Sequence, residues 1–207
     1  MTDKQGMDYK ARILRVMRMA WQTGILRGFS GNASVRLENG DFLITASGVA
    51  KGSLMESSLL LVNARGEIIE GQGKPSIELG MHLQLYRLVP ACSAILHTHP
   101  VYLHALPLLL GKDTREKMLS LDSAESDYWR ERLVLTGEHA PGSTELARAV
   151  AAALNREWPV APPLPCALWL ASHGLCALAE SIEAALGISE QLEHLAEIQW
   201  AVLAGKA

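Results

Sequence analysis

The chain lacks most of the features that would commit it to a special environment. No apolar run approaches the roughly 20 residues of a membrane span. The opening residues, 1–10, are polar and of mixed charge, unlike a secretory signal. There is no basic excess: 19 Lys and Arg stand against 22 Asp and Glu, for a formal charge of −3. That balance argues against non-specific nucleic-acid binding. Cysteine is scarce, with Cys92, Cys166 and Cys176 set among apolar neighbours and no C-x-x-C spacing. They read as reduced core residues of a cytoplasmic protein. Walker loops, a G-x-G-x-x-G after a strand and G-x-S-x-G elbows are also missing, so nucleotide binding and serine hydrolysis lose support. Repeats, low complexity and breaks in composition are absent too.

What remains is an ordinary globular composition over 207 residues, 49% apolar and 20% charged, enough for one domain with a substantial core. Apolar residues recur at helical spacing over 9–23, and Gly24 is a natural stop. A small-residue loop at 28–34 leads into a short strand at 35–37, and Asn39-Gly40-Asp41 signals a hairpin to a strand at 42–45. A second hairpin spans 59–63 and 67–70. Helices are expected over 77–88, 100–110, 143–154 and 181–204, and strands at 94–98, 132–135, 167–170 and 175–178. The segment 111–129 has no clear pattern, and the prolines of 158–165 make a connector. This mixture predicts a single sheet with helices packed on it.

The stretch with the most chemistry is Ile95-Leu96-His97-Thr98-His99-Pro100. Side chains two apart on a strand share a face, so both imidazoles would point the same way. Neutral imidazole is a common metal ligand, although two partly exposed turn histidines would give the same spacing. His173 lies in a tight turn between two apolar strands and is followed by Gly174. With His97 and His99 it would complete a three-histidine set with an open position, the catalytic type of zinc site. His82, His104 and His194 fall within helices as surface or packing residues, and His139 lies in a loop.

Glu78 opens a helix directly after Pro75-Ser76. It is either a first-turn carboxylate favoured by the helix dipole, with Ser76 as cap, or an acid/base held beside a metal. Three small-residue loops, at Gly31-Asn32, Ser47-Gly48 and Lys74-Pro75-Ser76, offer hydroxyls, an amide and free N–H groups of the kind that can hold a phosphate. Ordinary turns use the same residues.

Five motifs in order, Gly-Phe-Ser-Gly-Asn-Ala-Ser-Val-Arg (28–36), Ile-Thr-Ala-Ser-Gly-Val (44–49), Lys-Pro-Ser-Ile-Glu (74–78), His-Thr-His-Pro (97–100) and Ser-His-Gly (172–174), resemble the class II aldolase/adducin family over nearly the whole chain. The resemblance implies one domain over 1–207, an α/β/α fold with a mostly antiparallel central sheet. It implies that His97, His99 and His173 bind Zn2+ or another divalent transition metal. Glu78 takes the acid/base role, and Asn32, Ser47, Gly48 and Ser76 hold the substrate phosphate. Phe29 and Ile77 stand where family members often carry small hydroxyl residues, which weakens the phosphate site. The implied reaction is aldol cleavage of a ketose 1-phosphate, fuculose-phosphate-like, through a zinc-stabilised enediolate. Methylthioribulose-1-phosphate dehydration and pentulose-phosphate epimerisation would use the same site, whereas an adducin-like scaffold would not need it. The expected setting is a cytoplasmic homo-oligomer, a tetramer by analogy, with no nucleic-acid or membrane partner. Residues 112–139 match the family poorly, and Tyr128 is the one candidate there for substrate selection.

Overall fold

A computed structural model describes residues 3–205. Their strands form one eight-stranded sheet in the order β4-β3-β2-β1-β5-β8-β7-β6. The strands are β1 (Asn32–Arg36), β2 (Phe42–Thr45), β3 (Leu59–Val62), β4 (Ile68–Glu70), β5 (Ala94–Thr98), β6 (Leu133–Thr136), β7 (Cys166–Leu170) and β8 (Gly174–Ala179). Every neighbouring pair is antiparallel except β6 and β7. Seven helices accompany them: α1 (Asp3–Gln22), α2 (Leu79–Leu88), α3 (Val101–Leu110), α4 (Thr114–Met118), α5 (Ala124–Arg130), α6 (Thr144–Glu157) and α7 (Ile182–Ala204).

The alternation of side chains along the central strands builds a core on each side of the sheet. Leu96 and Ala177 join α1, α3 and α7 on one face, while Ile95 and Cys176 join α2 and α6 on the other. The α/β/α layering is therefore the expected one, and both faces being covered explains why β5, β7 and β8 are buried along their whole length. All three cysteines are free and buried. No helix among the described residues is long and apolar enough to cross a membrane.

Four expectations need correction. β1 begins at Asn32, inside the stretch read as loop, because Asn32, Ala33 and Ser34 pair with β5 although none favours strands. Helix α2 starts at Leu79 rather than Ile77. α1 begins at Asp3, earlier than the apolar spacing indicates. The patternless segment after Gly111 folds into a 3-10 turn and the short helices α4 and α5, each too brief to show an amphipathic period. Residues 1–2 and 206–207 of the expected domain lie outside the described residues.

Candidate metal and active site

The site lies where β1, β5 and the β7–β8 turn meet the start of α2. β5 carries His97 on the α2 side and ends at Thr98, so His99 follows just beyond the strand. The two rings still converge: their Nε2 atoms are 2.9 Å apart. Antiparallel pairing sets Asn32 opposite His97 on β1. On the other side of β5, β8 pairs with it and is entered through the three-residue turn 171–173, which delivers His173. The three imidazoles have ring centroids 4.7, 4.8 and 5.3 Å apart.

Two glycines permit this convergence. A Cβ at Gly174 would meet the Thr98 carbonyl oxygen at 2.3 Å, His97 Cε1 at 3.1 Å and His99 Cδ2 at 3.3 Å. Gly31 has φ of +79°, and a Cβ there would lie 2.6 Å from the His97 carbonyl oxygen. In the turn itself Ser172 takes the left-handed conformation with φ of 55°. Its hydroxyl donates to Glu138.

Glu78 sits at the N-cap position of α2 but makes no side-chain cap bond. The Ser76 hydroxyl accepts from the Glu78 N–H at 3.2 Å, and the carboxylate turns inward instead. Glu78 Oε2 accepts from Asn32 Nδ2 at 2.7 Å and lies 3.2 Å from His97 Nε2, while Oε1 lies 3.0 Å from His173 Nε2. The carboxylate is 3% exposed, so the dipole-favoured surface role is not its role here. Burial alone would raise its pKa, but the facing His97 and His173 and the Asn32 amide outweigh that, and Glu78 stays ionised. Burial lowers His97 to about 4 and His99 to about 3, so both are neutral near pH 7.

This donor set fits a cation. His97 Nδ1 lies 3.0 Å from the Leu175 carbonyl oxygen, and donating to it leaves the Nε2 lone pair facing His99 and Glu78. Glu78 Oε1 is buried without a hydrogen-bond partner among the described residues. Lone pairs converging on a carboxylate in a dry site repel one another unless a positive ion sits between them. His97, His99 and His173 together form a group able to hold one.

Of the other expected site residues, Asn32 and Ser76 bond Glu78, and Ser47 and Gly48 lie in the loop beside Lys74. Ser47 N–H donates to the Lys74 carbonyl and Ser76 N–H to the Thr45 carbonyl, so the loops after β2 and before α2 are stitched together. Asn32 and Ser76 are buried, while Ser47 and Gly48 face solvent. Phe29 and Ile77 are 69% and 63% exposed. Tyr128 packs under Arg132, in a groove with α7, and is not part of the cluster. Two neighbours escaped sequence reasoning. The His104 ring stacks on His99 at 5.7 Å. His82, expected among surface or packing residues, is fully buried on the same face of α2 as Glu78. The spacing Glu78, His82, Tyr86 along one helix face was the available signal.

Comparison with known proteins gives the family of the chain. The model of the "Class II Aldolase and Adducin N-terminal domain" matches residues 11–200. The chain belongs to the class II aldolase and adducin family. It is 31% identical to a 3-oxo-tetronate 4-phosphate decarboxylase of Pectobacterium atrosepticum, over 91% of this chain and 82% of that protein. It is 29% identical to an L-fuculose phosphate aldolase of Methanococcus vannielii, over 95% of this chain and 98% of that one. A sugar-phosphate aldolase from Thermotoga maritima shares the fold, with a TM-score of 0.81 at 24% identity over 97% of each chain.

Proposed function

We propose that this family member is a metal-dependent lyase that cleaves a carbon–carbon bond beside the carbonyl of a small phosphorylated sugar, with aldol cleavage of a ketose 1-phosphate as the leading reaction. The observation that carries this reading is the convergence of His97, His99 and His173 on the buried carboxylate of Glu78. A zinc ion, or another divalent transition metal, held by these three histidines would supply Lewis-acid polarisation of the substrate carbonyl. The rest of the chemistry belongs to the chain's own groups. Glu78, ionised and held by Asn32, takes the proton of the hydroxyl on the carbon that leaves as the aldehyde and returns it to the carbon next to the carbonyl once the carbon–carbon bond has broken. Burial of His97 and Glu78 excludes water that would compete for that proton. Asn32, Ser47, Gly48 and Ser76 receive the phosphate through the Asn32 amide, the two serine hydroxyls and the Gly48 N–H, because the Ser47 and Ser76 N–H groups are bonded between the loops. Phe29 and Ile77 project to solvent beside those loops, so replacing hydroxyl residues there thins the phosphate contacts without blocking entry.

Decarboxylation of a keto sugar acid phosphate is a second reading, favoured by the relative that bears that name. Both reactions leave an electron pair on the carbon beside a polarised carbonyl; the leaving fragment is an aldehyde in one and carbon dioxide in the other. Retention of all three histidines and Glu78 supports catalysis over an adducin-like scaffold role. We further propose a single domain acting in a cytoplasmic homotetramer. The domain is supported by the one continuous sheet and the family match over 11–200, the tetramer by family resemblance, and the compartment by free cysteines. Product analysis separates the chemistries. Zinc-loaded protein incubated with ketose 1-phosphates should release a three-carbon ketose phosphate and an aldehyde, whereas the alternative yields carbon dioxide from 3-oxo acid phosphates. Metal-loaded protein that cleaves neither class would refute the lyase reading.

A further inference from the structure

Behind the carboxylate, a second layer of buried polar groups joins β1 to α2. Asn32 and Ser34 are two apart on β1 and share a face. Glu78, His82 and Tyr86 are four apart and lie on one face of α2 and its cap. Two strand residues advance about 6.6 Å and four helical residues about 6.0 Å, so the two series run nearly in step. They meet as rungs. Asn32 Nδ2 donates to Glu78 Oε2 at 2.7 Å, and Ser34 Oγ lies 2.7 Å from His82 Nδ1. Tyr86 OH donates to the Ser34 carbonyl at 3.0 Å and lies 2.9 Å from Ser34 Oγ. The helix closes the frame, because the His82 N–H donates to the Glu78 carbonyl at 3.1 Å.

We propose that His82 is a positioning residue: through the Ser34 rung it sets the height of the first turn of α2 on β1, and so holds the Glu78 carboxylate against His97, His173 and the reacting carbon. The His82 side chain makes no hydrogen bond to His97, His99 or His173 among the described residues, and its Nε2 has no partner there. Among the described residues the Ser34 hydroxyl is therefore the one side-chain hydrogen-bond partner of this ring, which is fully buried. An apolar side chain of similar size would fill the same space, so packing alone does not require an imidazole there. Without the rung, the first turn of α2 is tied to β1 near the site only by the Asn32–Glu78 bond, and the carboxylate loses its fixed approach. Misplacement of an acid/base group by a fraction of an ångström is enough to slow proton transfer.

The catalytic consequence rests on the lyase reading; the frame itself does not, so the test has two arms. In zinc-loaded protein acting on the ketose 1-phosphate that the wild type cleaves, Ser34→Ala and His82→Leu should each lower kcat by roughly 10- to 100-fold, with metal content and KM little changed. The double variant should be no worse than Ser34→Ala, which already removes the His82 rung together with the hydroxyl contact to Tyr86. His82→Asn, whose amide reaches the position of Nδ1, should recover part of the rate that His82→Leu loses. Melting temperatures that fall while kcat per metal-loaded chain stays at the wild-type value would reduce His82 to a structural residue and overturn the proposal. The second arm needs no substrate: in crystal structures of the zinc-loaded Ser34→Ala and His82→Leu proteins, the first turn of α2 should shift and the Asn32–Glu78 bond should lengthen or break. An unmoved Glu78 in both variants overturns the proposal even if the wild type proves inactive on every ketose phosphate.

Discussion

Replacing Gly174 with alanine puts one methyl group into the tightest contact of the site. Its carbon would sit 2.3 Å from the Thr98 carbonyl oxygen, about 1 Å inside van der Waals contact. That oxygen belongs to the β5–β8 pairing, where Thr98 faces Leu175 and His97 faces Cys176, so it cannot withdraw without disturbing the ladder. The same methyl would press on His97 Cε1 and His99 Cδ2, at 3.1 and 3.3 Å. The change should cost about 3 kcal/mol, at the upper end for overpacking. For a chain of this size that lowers the melting temperature by roughly 6–12 °C. Pushing two of three imidazoles should weaken metal binding by roughly 10- to 100-fold. Differential scanning calorimetry and chelator competition measure the two effects. Gly187 in α7 provides the matched control: its Cβ would meet no atom within 4 Å, so Gly187→Ala should stabilise by about 1 kcal/mol and leave metal affinity alone. A Gly174→Ala protein that melts and binds metal like the wild type would refute the convergence of β5 and β8 described above.

Other outcomes follow from the same geometry. Glu78→Gln keeps the size and the Asn32 contact but cannot hold the proton, so activity should fall by roughly 100- to 10,000-fold while the metal stays bound; full activity would remove Glu78 from the chemistry. Burial lowers His82 from an ordinary 6.5 to about 4, so the unfolded chain binds a proton there that the folded chain refuses. Stability should accordingly fall by about 3 kcal/mol from this group as pH drops through that interval, and be fully present above it. In metal-free protein His97 and His99 add to the same slope, being lowered too. Urea titrations between pH 7 and 4 should show a shallower slope for His82→Asn, and an unchanged slope would contradict the burial of a neutral ring.

The legible parts of this protein are those in which chemistry and pattern coincide. β5 is an apolar run that ends in His97-Thr98-His99-Pro100, and the β7–β8 turn is a gap between two apolar runs with His173 inside it. Both histidine-bearing segments could be read directly. The hairpin at Asn39-Gly40 was equally plain. What sequence could not show is the order β1-β5-β8, a pairing of segments far apart in the chain that brings residues 32, 97 and 173 side by side. β1 was hidden because its first three residues, Asn32, Ala33 and Ser34, are small or polar and are chosen by what they face rather than by strand preference. Glu78 was ambiguous because a cap carboxylate and a site carboxylate occupy the same position in a sequence; only the inward turn of its side chain separates them. His82 was missed because a helical histidine is usually unremarkable, and its meaning comes from Ser34 on a strand more than 40 residues away.

The measurement that bears most directly on the central claim is the metal content of protein purified without chelator, by elemental analysis, beside a His97→Ala/His173→Ala variant. A three-histidine site with an open position predicts about one zinc-like ion per chain in the wild type, lost in the variant. No metal in the wild type, and none taken up when zinc is added, would contradict the account and leave the cluster of His97, His99, His173 and Glu78 without its proposed role.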